Sequence, residues 1–373
     1  MSPSRTTKLA ARIAGSALVC ALLLACVSAQ AADDATPELR ILLATPTATM
    51  VQRSPQINLL GTAPARCMPT IERVTLDGTD LSVELKSPTT GCDSQHPLPF
   101  NLRVDPTASA GVPILPGQIY HVRVYAMNGA ASLLAFHLID TGAPASAPTP
   151  ENGFWWSEAS AASGPMSAGS GASIELQDGQ LAVGLFGFAE SGAPTWYFGS
   201  TRPTGRVATV SLVQLANGDP MFAPTGSLPS AQAGPRLELE FLSPTHARAY
   251  LVRSEGGRDV QVRALTLARS RFATGPTGSA WSGQWVLVPD DNGAPRIFEF
   301  TEPSSQDAET FHLGDTDNNA SLDCRLAIGT RHPEVCTLSV AATPIADFDQ
   351  VGLDRLSGHG SNGARVRLLR VPR

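Results

Sequence analysis

The chain is predicted to be all-β: an N-terminal immunoglobulin-like β-sandwich followed by two small antiparallel β units of barrel or sandwich type. Three observations predict this. First, apolar and polar residues alternate with period two. Leu81, Val83 and Leu85 are interleaved with Ser82, Glu84 and Lys86, and Tyr120, Val122, Val124 and Ala126 with His121, Arg123 and Tyr125. Successive side chains of a strand point to opposite faces, so each set lines one face of a sheet. Second, Asn-Gly begins at 128, 152, 217, 292 and 362 and Asp-Gly at 77 and 178, pairs that tolerate the positive φ of tight hairpins. Third, no capped amphipathic helix of useful length follows the first 31 residues.

Those 31 residues read as an export signal. Arg5, Lys8 and Arg12 give a basic start, Ile13 to Ala25 an apolar run, and Ala29-Gln30-Ala31 a small-x-small cleavage site. The run is shorter than the roughly 20 residues a spanning helix needs, and no later segment is apolar at that length. Leu23-Leu24-Ala25-Cys26 also resembles a bacterial lipobox, which would lipidate Cys26 and leave a membrane-anchored lipoprotein. Both routes place the chain outside the cytoplasm, as a periplasmic or secreted protein or an outer-membrane lipoprotein. The leader holds three of the 27 basic residues and no acidic one, so 24 positive charges face 33 negative ones after its removal. No basic patch is dense enough to neutralise a run of phosphates, which excludes nucleic acid as the expected partner.

After the leader the chain divides into a sandwich at 32–141, a Pro/Ala-rich linker at 142–152, a Trp-rich unit at 153–272, a linker at 273–280 and a divergent unit at 281–373. Strands are expected at Arg40–Ala44, Glu72–Leu76, Leu81–Leu85, Phe100–Val104, Tyr120–Ala126 and Leu133–Ile139, and residues 37–140 have the size and strand spacing of an immunoglobulin-like sandwich. Leu115-Pro116-Gly117-Gln118-Ile119-Tyr120-His121-Val122 resembles the start of a late strand in bacterial immunoglobulin-like modules. Four cysteines remain in the exported chain, and their sequence proximity favours Cys67–Cys92 and Cys324–Cys336 as disulfides.

The Trp-rich unit carries Gly153-Phe154-Trp155-Trp156, Gly169-Ser170-Gly171, Phe186-Gly187-Phe188 and Gly192-Ala193-Pro194-Thr195-Trp196-Tyr197. Residues 152–272 thereby resemble a β-repeat of secreted proteobacterial proteins marked by Gly-x-Trp-Trp and Gly-x-Pro-x-Trp-Tyr; Ser157-Glu158 departs from its usual Asn-Pro. The resemblance implies a small antiparallel β domain and no particular activity. A fainter echo pairs Trp155/Trp156 and Gly192-Ala193-Pro194 with Trp281/Trp285 and Gly293-Ala294-Pro295, as in two related, unequal units.

Catalytic signatures are missing from the sequence: it has no His-Glu-x-x-His and no Gly-x-Ser-x-Gly, so no catalytic residue is singled out. Gly358-His359-Gly360-Ser361-Asn362-Gly363 matches Gly-x-Gly-x-x-Gly but leads into a strand rather than a helix, and reads as a hairpin loop. Asp315, Asp317, Asn319 and Asp323 could gather oxygens around Ca²⁺, although Ala320 and Leu326 stand where an EF-hand needs glycine and glutamate. Seven histidines are scattered, with no ligand-spaced pair on one element. Trp155, Trp156, Trp196 and Tyr197 remain the binding candidates, for a polysaccharide or a protein partner. Adjacent aromatics in a strand face opposite ways, so at most one member of each pair enters a given core. The expected role is an exported, non-catalytic binder; a hydrolase with a dispersed site and a structural envelope lipoprotein are the alternatives.

Overall fold

A computed structural model describes residues 39–46, 56–128, 130–142, 147–158, 169–220, 222–270, 277–291, 293–301, 303–307, 309–327 and 332–371. The leader and Cys26 lie outside them. The described chain is nearly all strand, as the alternation and turn chemistry predict.

Seven strands form the N-terminal sandwich: β1 (Arg40–Pro46), β2 (Ile57–Ala65), β3 (Thr70–Asp77), β4 (Asp80–Lys86), β5 (Asp93–Val104), β6 (Ile119–Asn128) and β7 (Ala130–Asp140). One sheet runs β1-β2-β5 and the other β3-β4-β6-β7, with Ile57, Leu59, Val83, Leu85, Val122 and Val124 in a common core. Strand β2 escaped the sequence reading because Gly61, Ala63 and Pro64 dilute its alternation; Ile57 and Leu59 nevertheless point inward. Its neighbour β5 starts at Asp93, beside the Cys67–Cys92 disulfide. Tyr120 at the start of β6 accepts a 2.8 Å hydrogen bond from the Leu115 amide, closing a tyrosine corner over the Pro-Gly turn. β4 and β6 pair in parallel, unlike the two antiparallel sheets of an immunoglobulin sandwich.

A closed eight-stranded barrel follows: β8 (Gly153–Glu158), β9 (Gly171–Gln177), β10 (Gln180–Phe188), β11 (Pro194–Thr201), β12 (Val207–Ala216), β13 (Ser230–Ser243), β14 (His246–Glu255) and β15 (Arg258–Arg269), with β8 closing against β15. Its interior is filled by side chains, among them Trp155, Ile174, Val183, Leu237, Phe241 and Leu267.

The C-terminal unit comprises β16 (Gly283–Pro289), β17 (Arg296–Phe300), β18 (Ser305–Gln306), β19 (Thr310–Asp315), β20 (Ala320–Leu326), β21 (Pro333–Val340), β22 (Thr343–Val351), β23 (Arg355–Gly360) and β24 (Arg365–Arg370). They form one nine-stranded sheet that curls until the Thr301 amide after β17 reaches Gly314 O of β19 at 3.0 Å. Cys324 and Cys336 sit directly opposite each other on β20 and β21 and are joined. Two disulfides are the usage of an oxidising, exported compartment. No described helix is long and apolar enough to cross a membrane.

The internal echo resolves into a repeated lock. Gly153 and Gly283 both adopt positive φ, 122° and 111°, two residues before Trp155 and Trp285. Each buried indole donates to the carbonyl four residues back, Trp155 Nε1 to Glu151 O at 3.1 Å and Trp285 Nε1 to Trp281 O at 2.8 Å. Trp155 pairs across the ladder with Arg269 and Trp285 with Arg370. Arg269 Nε then donates to Asn152 O at 2.8 Å, and Arg370 Nη2 to Ser282 O at 2.8 Å. The Gly-Ala-Pro echo is not equivalent. In the barrel it joins β10 to β11, but in the last unit it joins β16 to β17.

Polar contacts tie the units together. Leu138 and Phe136 of β7 pack with Val207, Tyr250 and Val252 of the barrel. Beside them Asp259 Oδ2 accepts from the Phe136 amide at 2.7 Å, Arg236 donates to Phe136 O and Asp259, and Arg206 donates to Asp140 at 3.0 Å. His121 Nε2 lies 3.1 Å from both Glu240 Oε2 and the Tyr250 hydroxyl. At the other end, the Glu151 carboxylate accepts from the amides of Leu353, Asp354 and Arg355 at 2.8–3.1 Å, a backbone nest that fixes the last unit to the start of the barrel.

His137 faces this interface, and burial, then the nearby Arg236 charge, lowers its pKa to about 4. Unfolding returns it to about 6.5, so the unfolded chain binds more protons between those values and the contribution to stability, complete above pH ~6.5, is lost as pH falls toward 4. Denaturant titrations across that range should show stability falling with acidification in the native protein and a shallower fall in His137→Leu.

Candidate functional site

The aromatic block is divided by the pleat of β8. Trp155 points into the barrel and is 0% exposed, packed at 6.3 Å edge-on to Phe241. Trp156 points out and is 37% exposed, and Trp196 on β11 is 51% exposed. Tyr197, the parity partner of Trp196, packs against the barrel core. Trp155 is thus framework, while half-buried Tyr197 packs on the core and edges a depression at one end of the barrel.

The register brings the outward members into one row. Trp156 is opposite Gly171, Gly171 opposite Phe186, and Phe186 opposite Trp196, across β8, β9, β10 and β11. A second row alongside runs Phe154, Ser173, Gly184 and Phe198. Gly171 in the first row, and Ser173 and Gly184 in the second, stand between large rings and leave room for them to lie over the sheet. Phe154 stacks on Trp156 and on Phe186, with centroids 5.6 and 5.0 Å apart and interplanar angles of 22°. Gly171 is required here: a Cβ would lie 2.6 Å from Trp155 O and 2.9 Å from the Phe186 ring. At about 4.8 Å per strand, the Trp156-to-Trp196 row extends about 14 Å. Exposed Phe188 and Phe198 widen it.

The row is amphipathic at its margins. Arg263, Thr195 and Tyr197 line a shallow depression with Phe186, Phe188 and Leu185 at one end of the barrel. Arg253 donates to Glu190 at 2.8 Å at the exposed rim. Stacking surface with polar groups at the edge is the arrangement that receives a ring with apolar faces and hydroxyl edges.

The carboxylates suggested for Ca²⁺ do not converge. Asp315 is buried at the β19–β20 hairpin, where it accepts from the Glu299 amide at 2.7 Å and from Asn318 Nδ2 at 2.7 Å. Asp323 lies on the outer face of β20, paired with His312 and accepting from Ser321 Oγ at 2.9 Å. Asp317 and Asn319 are exposed in the turn, Asn319 at φ 47°. The acidic cluster is a capped hairpin with its carboxylates on opposite faces.

One grouping was invisible in the sequence. His246 begins β14, Glu158 ends β8 and His332 precedes β21, and folding places all three together. Eighty-six residues of sequence, and a different unit of the fold, separate the two histidines; only the three-dimensional packing could reveal them.

Neither a family model nor a curated protein matches this chain.

The divided roles are measurable by urea unfolding. Trp155→Ala should cost about 3–5 kcal/mol through the cavity it opens. Trp156→Ala, at the surface, should cost about 1 kcal/mol or less.

Proposed function

We propose that the protein is an exported, non-catalytic binder that holds a cell-surface polysaccharide across the outer aromatic face of its barrel. The observation that carries this reading is the register-aligned row Trp156–Phe186–Trp196, flanked by Phe154 and Phe198. Exposed aromatic rings gathered on one sheet face are costly to leave in water unless a partner covers them. Their alignment along a line, rather than in a closed pocket, suits an extended chain better than an isolated small molecule. Indole faces stack on the C–H faces of pyranose rings, and the polar rim can hydrogen-bond their hydroxyl edges.

The Gly153-Phe154-Trp155-Trp156 and Gly192-Ala193-Pro194-Thr195-Trp196-Tyr197 motifs that carry the resemblance to secreted β-repeats take on distinct roles in this reading. Gly153 and Trp155 build the barrel, while Trp156 and Trp196 present its surface. A protein partner would use the same rings as anchors, and the assay below separates the two.

Binding of the purified chain to an array of cell-wall and storage polysaccharides checks this. At least one glycan should be retained, with each of Trp156→Ala and Trp196→Ala weakening retention by about tenfold, the range of one well-placed aromatic contact. Uniform absence of binding to the array would overturn the polysaccharide reading.

A further inference from the structure

We infer that Glu158, His246 and His332 form a binding site for a divalent transition-metal ion of the zinc class, bridging the barrel and the C-terminal unit. Each offers one ligand atom, and these atoms all lie within 4.8 Å of one another. His332 Nε2 is 3.3 Å from Glu158 Oε2, close to the separation of about 3.4 Å between two ligands of a tetrahedral ion with bonds near 2.0–2.2 Å. The imidazoles of His246 and His332 stack with centroids 4.8 Å apart and planes 14° from parallel.

The backbone supports the placement. Outward parity on β14 sends His246 to the same face as Arg248 while Ala247 and Ala249 enter the core. Glu158 is two residues beyond Trp156 on the same face of β8. Across the ladder Trp156 is opposite Ala268, and Ala268 is opposite His246. Hence the cluster stands at one end of the aromatic row, and His332 enters from the neighbouring unit.

The donor set selects the ion. Two imidazoles and a carboxylate suit zinc, whereas calcium takes six to eight oxygens. Three protein ligands leave the fourth position of a tetrahedral ion to water or a ligand group. Because His332 belongs to a different unit from the other two, binding would also couple the ion to how the two units are held. This inference does not depend on the polysaccharide reading.

The test is zinc titration by calorimetry of the full exported chain after EDTA treatment and desalting, with Co²⁺ absorption as a spectroscopic readout. One zinc per chain, a rise in Tm with zinc and visible Co²⁺ bands of a four-coordinate N/O site are expected. His246→Ala and His332→Ala should each weaken zinc binding at least tenfold and abolish the Co²⁺ bands, while His359→Ala changes neither. His332→Gln, on the less constrained turn, is the safeguard if His246→Ala fails to fold. Absence of zinc binding by the native chain, or full affinity retained in His332→Ala or His332→Gln, would overturn the site. Glycan retention by a chain that binds no zinc would reject this inference alone.

Discussion

The pleat of one six-residue strand constrains most of what the molecule can do. β8 sends Trp155 inward and Phe154, Trp156 and Glu158 outward. The inward indole fills the barrel and fixes Glu151 through its N–H; the Glu151 side chain then caps a turn of the C-terminal unit. The outward residues supply one end of the aromatic row and one member of the histidine–carboxylate cluster. A register slip of one residue would exchange these sets and place a carboxylate and a surface ring in the core. Core packing, attachment of the last unit and surface chemistry therefore share one determinant.

That determinant is used twice. The positive-φ glycine, the buried tryptophan two residues on and the arginine opposite it recur in both β units, with the arginine donating to the carbonyl just before the glycine each time. In each unit the first strand pairs with the last, β8 with β15 and β16 with β24, and the arginine's charged hydrogen bond reinforces that pairing. The copies then diverge: eight strands and a closed ladder in one, nine strands and a curled sheet in the other.

Much of this was legible in the sequence because it is local. Period-two alternation locates β4 and β6, Asp77-Gly78 locates their hairpin neighbour, and the adjacency of Trp155 and Trp156 already allows at most one of them into a given core. What was not legible depends on pairing between distant segments. β2 carries its core on Ile57 and Leu59 with small residues after them, too weak a pattern to read alone. The parallel β4–β6 pair depends on the crossing between sheets. The Gly-Ala-Pro echo is a turn signal, and turns of one composition serve hairpins at different places in a barrel. His246 and His332 meet only because two units dock, and a carboxylate run such as Asp315 to Asp323 looks like a ligand set until the hairpin turns its members to opposite sides.

The central claim is that the five tryptophans divide into three framework and two surface residues, strand parity setting Trp155 inward and Trp156 outward. Fluorine NMR of the chain labelled with 5-fluorotryptophan, with resonances assigned by single Trp→Phe variants, measures it directly. In the presence of a soluble paramagnetic agent, the signals of Trp156 and Trp196 should broaden while those of Trp155, Trp281 and Trp285 stay sharp. Broadening of Trp155 together with protection of Trp156 would reverse the assigned parity and contradict the account.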